Sequence, residues 1–373
     1  MTKESLKQTF LELVAINSHH PDEAEIAKYI CAFFDRSGIQ WKKDSFENIF
    51  ASIPGEGEPV LLSTHIDIPE PAPHVNPVFE GDIIRSDGTS ILGADPKTGL
   101  AVILEFARDL KLVKLVSSPN FEQNSDLTPI SAHAPVEILL TRGEEKGLLG
   151  ALNADYSLLK SKIGFCLDED GPVNQVTVKA PGYVRFDASF TGKVVHTREP
   201  EKGINALQVF CHAVRDLPWG YACDGVTWNI GQFQSGTARN SVPRYAEVHA
   251  ELRGFDTEKL RREAQRIAER FCKTAEQFGA TCDVQHNVMF EGYDIDRNHP
   301  LFARMNVVYE KMGLTQQYHE TYGGSDVNVF IAKGITAVTL GSGYYNAHEY
   351  TEYADLADMA QIYTFLTEFL RVQ

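Results

Sequence analysis

The chain of 373 residues carries 35 Lys and Arg against 51 Asp and Glu, a formal charge of −16 with no basic cluster able to track a phosphate backbone, which argues against nucleic acid as a partner. Hydrophobic residues at 43% and charged residues at 23% are those of an ordinary globular protein, and this length predicts two domains with a substantial core. No run approaches the about 18 apolar residues of a membrane span, the N-terminus lacks an apolar signal core, and the scattered cysteines show no C-x-x-C spacing, so a cytoplasmic protein with reduced thiols and no membrane partner is expected.

Val60 to Asp67 is the first of four apolar, β-branched runs that finish on a chemically useful residue. The others are Val136 to Glu145, Ile163 to Asp168, and Ile335 through Leu340 to the loop carrying His348. Near-continuous apolar runs mark strands buried on both faces of a parallel sheet, and ligands collect beyond the carboxyl ends of such strands. Helical spacing sits between them at Leu100, Ile103, Leu104, Ala107 and Leu110, at Leu301, Phe302, Met305, Val308 and Met312, and at Ile362, Leu366 and Leu370. This alternation predicts an α/β sheet flanked by helices. The polar stretch from Ser117 to His133 has no periodicity and reads as a surface loop.

Between residues 176 and 292 the pattern changes. Val184, Phe186, Ala188 and Phe190 alternate with polar residues, as do Ala246, Val248, Ala250 and Leu252, which marks antiparallel strands buried on one side. Helical stretches accompany them from Asn205 to Asp216 and through Leu260, Ala264, Ile267, Phe271 and Ala275. The expected organisation is a main domain over 1–175 and 293–373, with a small α+β domain inserted over 176–292.

Taken together, His65, Asp95, Glu145, Asp168 and His348 read as donors for two divalent cations about 3.5–4 Å apart, with Glu144 spare to move a proton. His65 and Asp67 end a strand and point to one side, so Asp67 can fix the second ring nitrogen, although an isolated H-x-D is equally a structural histidine. Asp95 and Pro96 open a helix as N-cap and first position, a capping role that also leaves a carboxylate free to bridge cations. Glu144 and Glu145 follow a buried strand, where adjacent side chains diverge, one toward a metal and one toward a water; a surface pair is the plainer account. Asp168 begins the turn Asp168-Glu169-Asp170-Gly171, in which Glu169 and Asp170 are read as solvated.

The runs Thr64-His65-Ile66-Asp67, Leu92-Gly93-Ala94-Asp95 with Lys97 and Gly99, Gly143-Glu144-Glu145 with Gly147, Leu167-Asp168 with Asp170-Gly171, Gly236-Thr237-Ala238 with Asn240, Gly323-Gly324-Ser325-Asp326, and His348 resemble in order and spacing the M20 family of cocatalytic zinc peptidases, most closely its peptidase T-like branch. The resemblance implies a zinc-peptidase-type mixed sheet with an inserted, ferredoxin-like lid domain. It implies that Asp95 bridges two metals, His65 and Asp168 completing one and Glu145 and His348 the other, with Asp67 orienting His65 and a cis Asp95–Pro96 bond. The mixed donors fit zinc, with cobalt or manganese also accepted. Water activated by the metals would attack the carbonyl of a short peptide, with Glu144 as general base and His196 reaching the oxyanion. Asn240 and Arg253 are candidate substrate binders, Arg253 being equally a surface partner for Asp256. Lids of the family can pair through an edge strand, so the resemblance allows a homodimer through the lid and leaves the oligomeric state open.

The expected activity is that of an aminopeptidase. A carboxypeptidase, dipeptidase or N-acyl-amino-acid deacylase of the same fold shares the metal residues, a non-catalytic binding protein would lack a purpose for Glu144, and a two-metal phosphoesterase would need an Arg/Lys clamp that the strand ends do not offer.

Overall fold

The computed structural model describes residues 2–116 and 133–371; the stretch expected as a loop from Ser117 lies, up to residue 132, outside them. The chain divides into two compact units, one of Met1–Val178, Ile295–Glu320 and Ser325–Gln373, the other of Lys179–Asp294 and Thr321–Gly324.

In the first unit a sheet runs in the order Gln40–Lys43, Ile49–Ile53, Val136–Thr141, Val60–His65, Ile163–Glu169, Thr336–Gly341, Gln175–Ala180. Its four central members are the four apolar runs, and they are parallel: His65 faces Thr141, Ser63 faces Cys166 and Leu340 faces Leu167. The outer strands pair antiparallel, which makes the sheet mixed. Every residue of Val60–His65 is buried, as a strand covered on both faces requires. Parallel strands bring all four carboxyl ends to one edge, and the donor residues sit there.

The stripe from Leu100 to Leu110 lies buried on the helix Ala94–Val116. The helix Leu356–Leu370 presents Phe365 and Phe369 edge-on to Phe165, with ring centroids 5.3 and 4.7 Å away. Residue 99 must be glycine for the Ala94–Val116 helix to approach so closely, since a Cβ there would stand 2.4 Å from the Leu167 carbonyl oxygen. That carbonyl accepts a hydrogen bond from Thr64 Oγ1 at 2.8 Å, one residue before Asp168. Gly99→Ala is expected to cost about 1–3 kcal/mol through overpacking, read as a lower midpoint of urea unfolding; an unchanged midpoint would contradict the contact.

A smaller antiparallel sheet joins Tyr344–Tyr345, Tyr353–Asp355, Ile83–Arg85 and Val78–Glu80. The stacked rings of Tyr345 and Tyr353, 4.8 Å apart, close a loop over residues 346–352 in which Asn346 and His348 take positive φ values of 57° and 66°.

The second unit is a five-stranded antiparallel sheet in the order Gly220–Cys223, Val226–Ser235, Tyr245–Gly254, Gly182–Thr191, Thr281–Phe290. The helices Ala206–Val214 and Thr257–Gln277 fall between strands so that the chain reads βαββαβ with one extra hairpin strand, the ferredoxin-like arrangement. Val184, Phe186, Ala188 and Phe190 meet Trp228 and Phe271 in its core, which is why this sequence alternates where the first unit's strands do not.

Candidate active site

Buried His65, the last residue of its strand, holds Nε2 at 3.1 Å from Asp95 Oδ1 and 3.0 Å from Asp168 Oδ1. His348 Nε2 stands 3.4 Å from Asp95 Oδ2 and 3.1 Å from Glu145 Oε1. Asp95 therefore turns one oxygen to each of two imidazoles, and each imidazole shares a second carboxylate. The residues fit a pair of cations: ligands about 2.0 Å from a tetrahedral zinc stand about 3.3 Å from one another, the spacing seen here. Donor atoms of His65, Asp95 and Glu145 all fall within 4.8 Å of each other, and Glu145 Oε1 is buried without a hydrogen bond. Carboxylates outnumber imidazoles in the cluster, an imbalance that divalent cations would neutralise.

Burial alone would lower the pKa of His65, but the carboxylates of Asp168, Asp67 and Asp95 outweigh it and hold the imidazole well above its ordinary range. The close carboxylates of Asp95 and Glu145 push His348 up to about 10. Burial raises Asp168 to about 7 against the attraction of His65. Asp95 is the exception: burial would raise it, yet the two imidazoles hold it below the usual carboxylate range. Burial, reinforced by Asp168, Glu145 and Asp326, keeps Glu144 well above that range, an effect that cations bound among these groups would oppose.

Asp95 itself is extended (φ −77°, ψ 113°) ahead of the helical residues, and its peptide bond to Pro96 is cis. Two sequence readings of local geometry need correction. The strand Val60–His65 stops before Asp67, so alternation does not place that residue. Its carboxylate instead spans two loops: Oδ1 and Oδ2 accept the backbone N–H groups of Glu144 and Glu145 at 3.0 and 3.2 Å, while Oδ1 stands 3.3 Å from His65 Nδ1, close enough for an ion pair but outside hydrogen-bond geometry. Likewise the strand before Glu144 ends at Thr141, and Glu144–Lys146 forms a single 3₁₀ turn, which sets the two carboxylates apart. Glu169 and Asp170 are not a solvated turn. Glu169 Oε2 accepts from Thr177 Oγ1 at 2.5 Å, and Asp170 lies against the backbone N–H groups of Ala347 and Asn346.

His196, Asn240 and Arg253 belong to the second unit. Exposed His196 pairs with Ser241 in an isolated bridge and accepts the Arg198 N–H at Nδ1 (3.1 Å), while the Asn240 carbonyl accepts the Thr197 N–H (3.1 Å), so these two residues lie side by side. Arg253 is bound to Glu251 at 3.0 and 3.3 Å, donates to the Tyr322 carbonyl at 3.1 Å and lies over the Tyr183 ring. Asp256, its alternative partner, caps the Thr257–Gln277 helix.

The peptidase dimerisation domain of the M20 peptidases matches residues 178–278. The protein YqjE of Bacillus subtilis (strain 168) is 31% identical over 372 residues, 97% of this chain and 96% of that protein. Aminopeptidase PepT from Bacillus cereus ATCC 10987 is 30% identical across 100% of this chain and 98% of its own, with a TM-score of 0.83. The chain belongs to the M20 peptidase family. A tripeptidase from Staphylococcus aureus subsp. aureus Mu50, 28% identical with a TM-score of 0.86 over 100% of this chain and 98% of its own, agrees with the peptidase T-like branch. The M20 peptidase is accordingly a hydrolase of peptide bonds, and its mixed sheet with an inserted second unit is the fold of these relatives. Among the described residues, no helix of this M20 peptidase is long and apolar enough to cross a membrane.

Three side chains of the M20 peptidase's site escaped the sequence reading. Glu352 is fully buried and accepts the backbone N–H groups of Gly93 (2.7 Å) and Asp95 (2.9 Å), clamping the loop that aims Asp95; burial pushes it up to about 7. Lys97 is buried, donates to the Ile16 carbonyl at 2.7 Å and is pushed down to about 7 by burial. Asp326 accepts from Thr141 Oγ1 through one oxygen, has no hydrogen bond at the other, and is raised by burial to about 6. Lys97 and Asp326 stand within the quoted motifs, a signal that marks position but not role. Glu352 carries no local signal at all.

Proposed function

We propose that this M20 peptidase is an aminopeptidase acting on short peptides through two divalent cations, with zinc best suited to the mixed donors and cobalt or manganese also accepted by them. The observation that carries this reading is Asp95, whose two oxygens face His65 and His348 separately. Asp95 would bridge the ions, His65 and Asp168 completing one position and Glu145 and His348 the other. When bound, the cations would polarise the scissile carbonyl and bring the pKa of a water toward neutrality.

Glu144 takes the water's proton and returns it to the leaving amine. Its backbone is tied to Asp67, which limits where its carboxyl can reach and keeps His65 facing the donors. His196 donates to the developing oxyanion, and Asn240 and Arg253 hold polar groups of the peptide. The second unit pairs with its copy in a homodimer, a reading supported by the dimerisation-domain match. Six free cysteines support a cytoplasmic site of action.

Likeness to an aminopeptidase and a tripeptidase supports N-terminal specificity. The test is a panel of tripeptides, dipeptides, N-blocked peptides and N-acyl amino acids, run with added zinc, cobalt or manganese. Tripeptide cleavage that disappears when the amine is blocked is the expected result. Preference for dipeptides, for N-acyl amino acids, or for a free carboxyl end would reassign the enzyme to a dipeptidase, a deacylase or a carboxypeptidase of the same fold. Metal binding with no amide hydrolysis would sink the enzymatic reading.

A further inference from the structure

We propose that His20 receives the free amino terminus of the peptide, an assignment that rests on the aminopeptidase reading and names a binding residue for it. The segment before it is fastened beside the donor loops: Asn17 Oδ1 accepts the Ala72 N–H at 3.0 Å, the Ile16 carbonyl accepts from Lys97, and His19 forms an isolated bridge with Ile68. The His20 ring then packs against Gly143, the residue before Glu144. A Cβ on Gly143 would stand 2.8 Å from His20 Nδ1 and 3.0 Å from Cε1, so only glycine leaves room for the imidazole there.

The ring is held in one orientation. Nδ1 is 2.5 Å from Glu23 Oε1, and Glu23, fully buried, has its other oxygen 2.7 Å from an Arg142 guanidinium nitrogen. In the tautomer that donates from Nδ1 to the Glu23 carboxylate, Nε2 is the acceptor. Arg142 already balances the charge of Glu23. Among the described residues the ring's hydrogen bonding runs through Nδ1, and the side chain keeps 19% of its surface exposed.

The chemistry of the substrate says where an amine receptor must stand. In an aminopeptidase the amine nitrogen and the scissile carbonyl carbon are joined through one Cα and lie about 2.5 Å apart. The receptor therefore belongs within a side chain's length of the general base. Around Glu144 the carboxylates of Asp95, Glu145 and Asp168 face the two imidazoles, Asp67 holds two backbone N–H groups, and Asp326 is bonded to Thr141 through one oxygen while its other oxygen is buried. His20 Nε2 is an oriented acceptor on a ring packed against the residue before Glu144, matched to the N–H donors of an ammonium group.

The experiment compares wild-type holoenzyme with His20→Ala and His20→Asn, using a tripeptide as substrate and its N-acetyl form as competitive inhibitor, with metal content measured for each protein. In His20→Ala, kcat/KM for the free tripeptide should fall about ten- to hundredfold, the loss of one hydrogen bond to a charged group, carried mainly by KM. The inhibition constant of the N-acetyl form and the metal content should stay as in the wild type. His20→Asn, which can offer an amide oxygen, should recover part of the loss. Equal weakening of both peptides, lost metal, or unchanged preference for the free amine would overturn the assignment of His20 while leaving the aminopeptidase reading in place. Wild-type enzyme that cleaves the N-acetyl form as readily as the free peptide would overturn both.

Discussion

Glu144→Gln is expected to lower kcat by about 10²–10⁴-fold, the range that a positioned general acid–base supplies, with both metal positions still filled. Glutamine matches glutamate in shape and cannot take a proton. The two backbone hydrogen bonds to Asp67 that fix the Glu144–Glu145 turn are untouched by the change, and none of the donors that face the two imidazoles is altered. Steady-state rates with elemental analysis of the same sample separate the outcomes. Full activity would remove Glu144 from the mechanism; a lost metal equivalent would make it a ligand instead.

The second large effect is expected at Asp95. Asp168→Asn or His348→Ala should each empty one metal position, because each residue serves one imidazole's side of the cluster, whereas Asp95→Asn should empty both and leave only background activity. Acidity sharpens the test. In the metal-free protein His65 and His348 hold protons to unusually high pH, His348 to about 10, so cations must displace protons to bind, and occupancy falls as pH falls. Calorimetric titration in buffers of different ionisation heat reads the protons released. Asp95→Asn removes a carboxylate that raises both imidazoles, so any residual binding should release fewer. Two tightly held equivalents in that variant would exclude a bridging role.

The strand ends could be read in the sequence because their cause is local. Two-faced burial demands an unbroken apolar run, and Val60–His65, Val136–Thr141, Ile163–Glu169 and Thr336–Gly341 all carry one. His65 and Asp168 sit at such ends, and Asp95 could be placed at a helix start from Pro96. Asp67 was singled out for the right neighbourhood with an incomplete task, because its partners are the backbone N–H groups of residues 77 and 78 positions away. Glu352 was invisible for the same reason, lying 257 residues from the Asp95 N–H it accepts. Glu169 and Asp170 misled in the other direction: an acidic run before glycine looks like solvent-facing turn chemistry until the His348 loop folds over it. Periodicity reports burial, whereas the hydrogen bonds that aim a buried carboxylate are settled only by the tertiary fold.

The strand Thr336–Gly341 lies inside the sheet, between Ile163–Glu169 and Gln175–Ala180, and His348 and Glu352 follow it. A nascent chain therefore exposes His65, Asp95, Glu145 and Asp168 long before the strand that fills the gap between their neighbours has left the ribosome. Until then nothing clamps the Asp95 loop, and the second imidazole does not exist. The second imidazole and the clamp on the Asp95 loop thus arrive only with residues 336–352, so a chain stalled before that segment carries four of the five candidate donors and lacks His348.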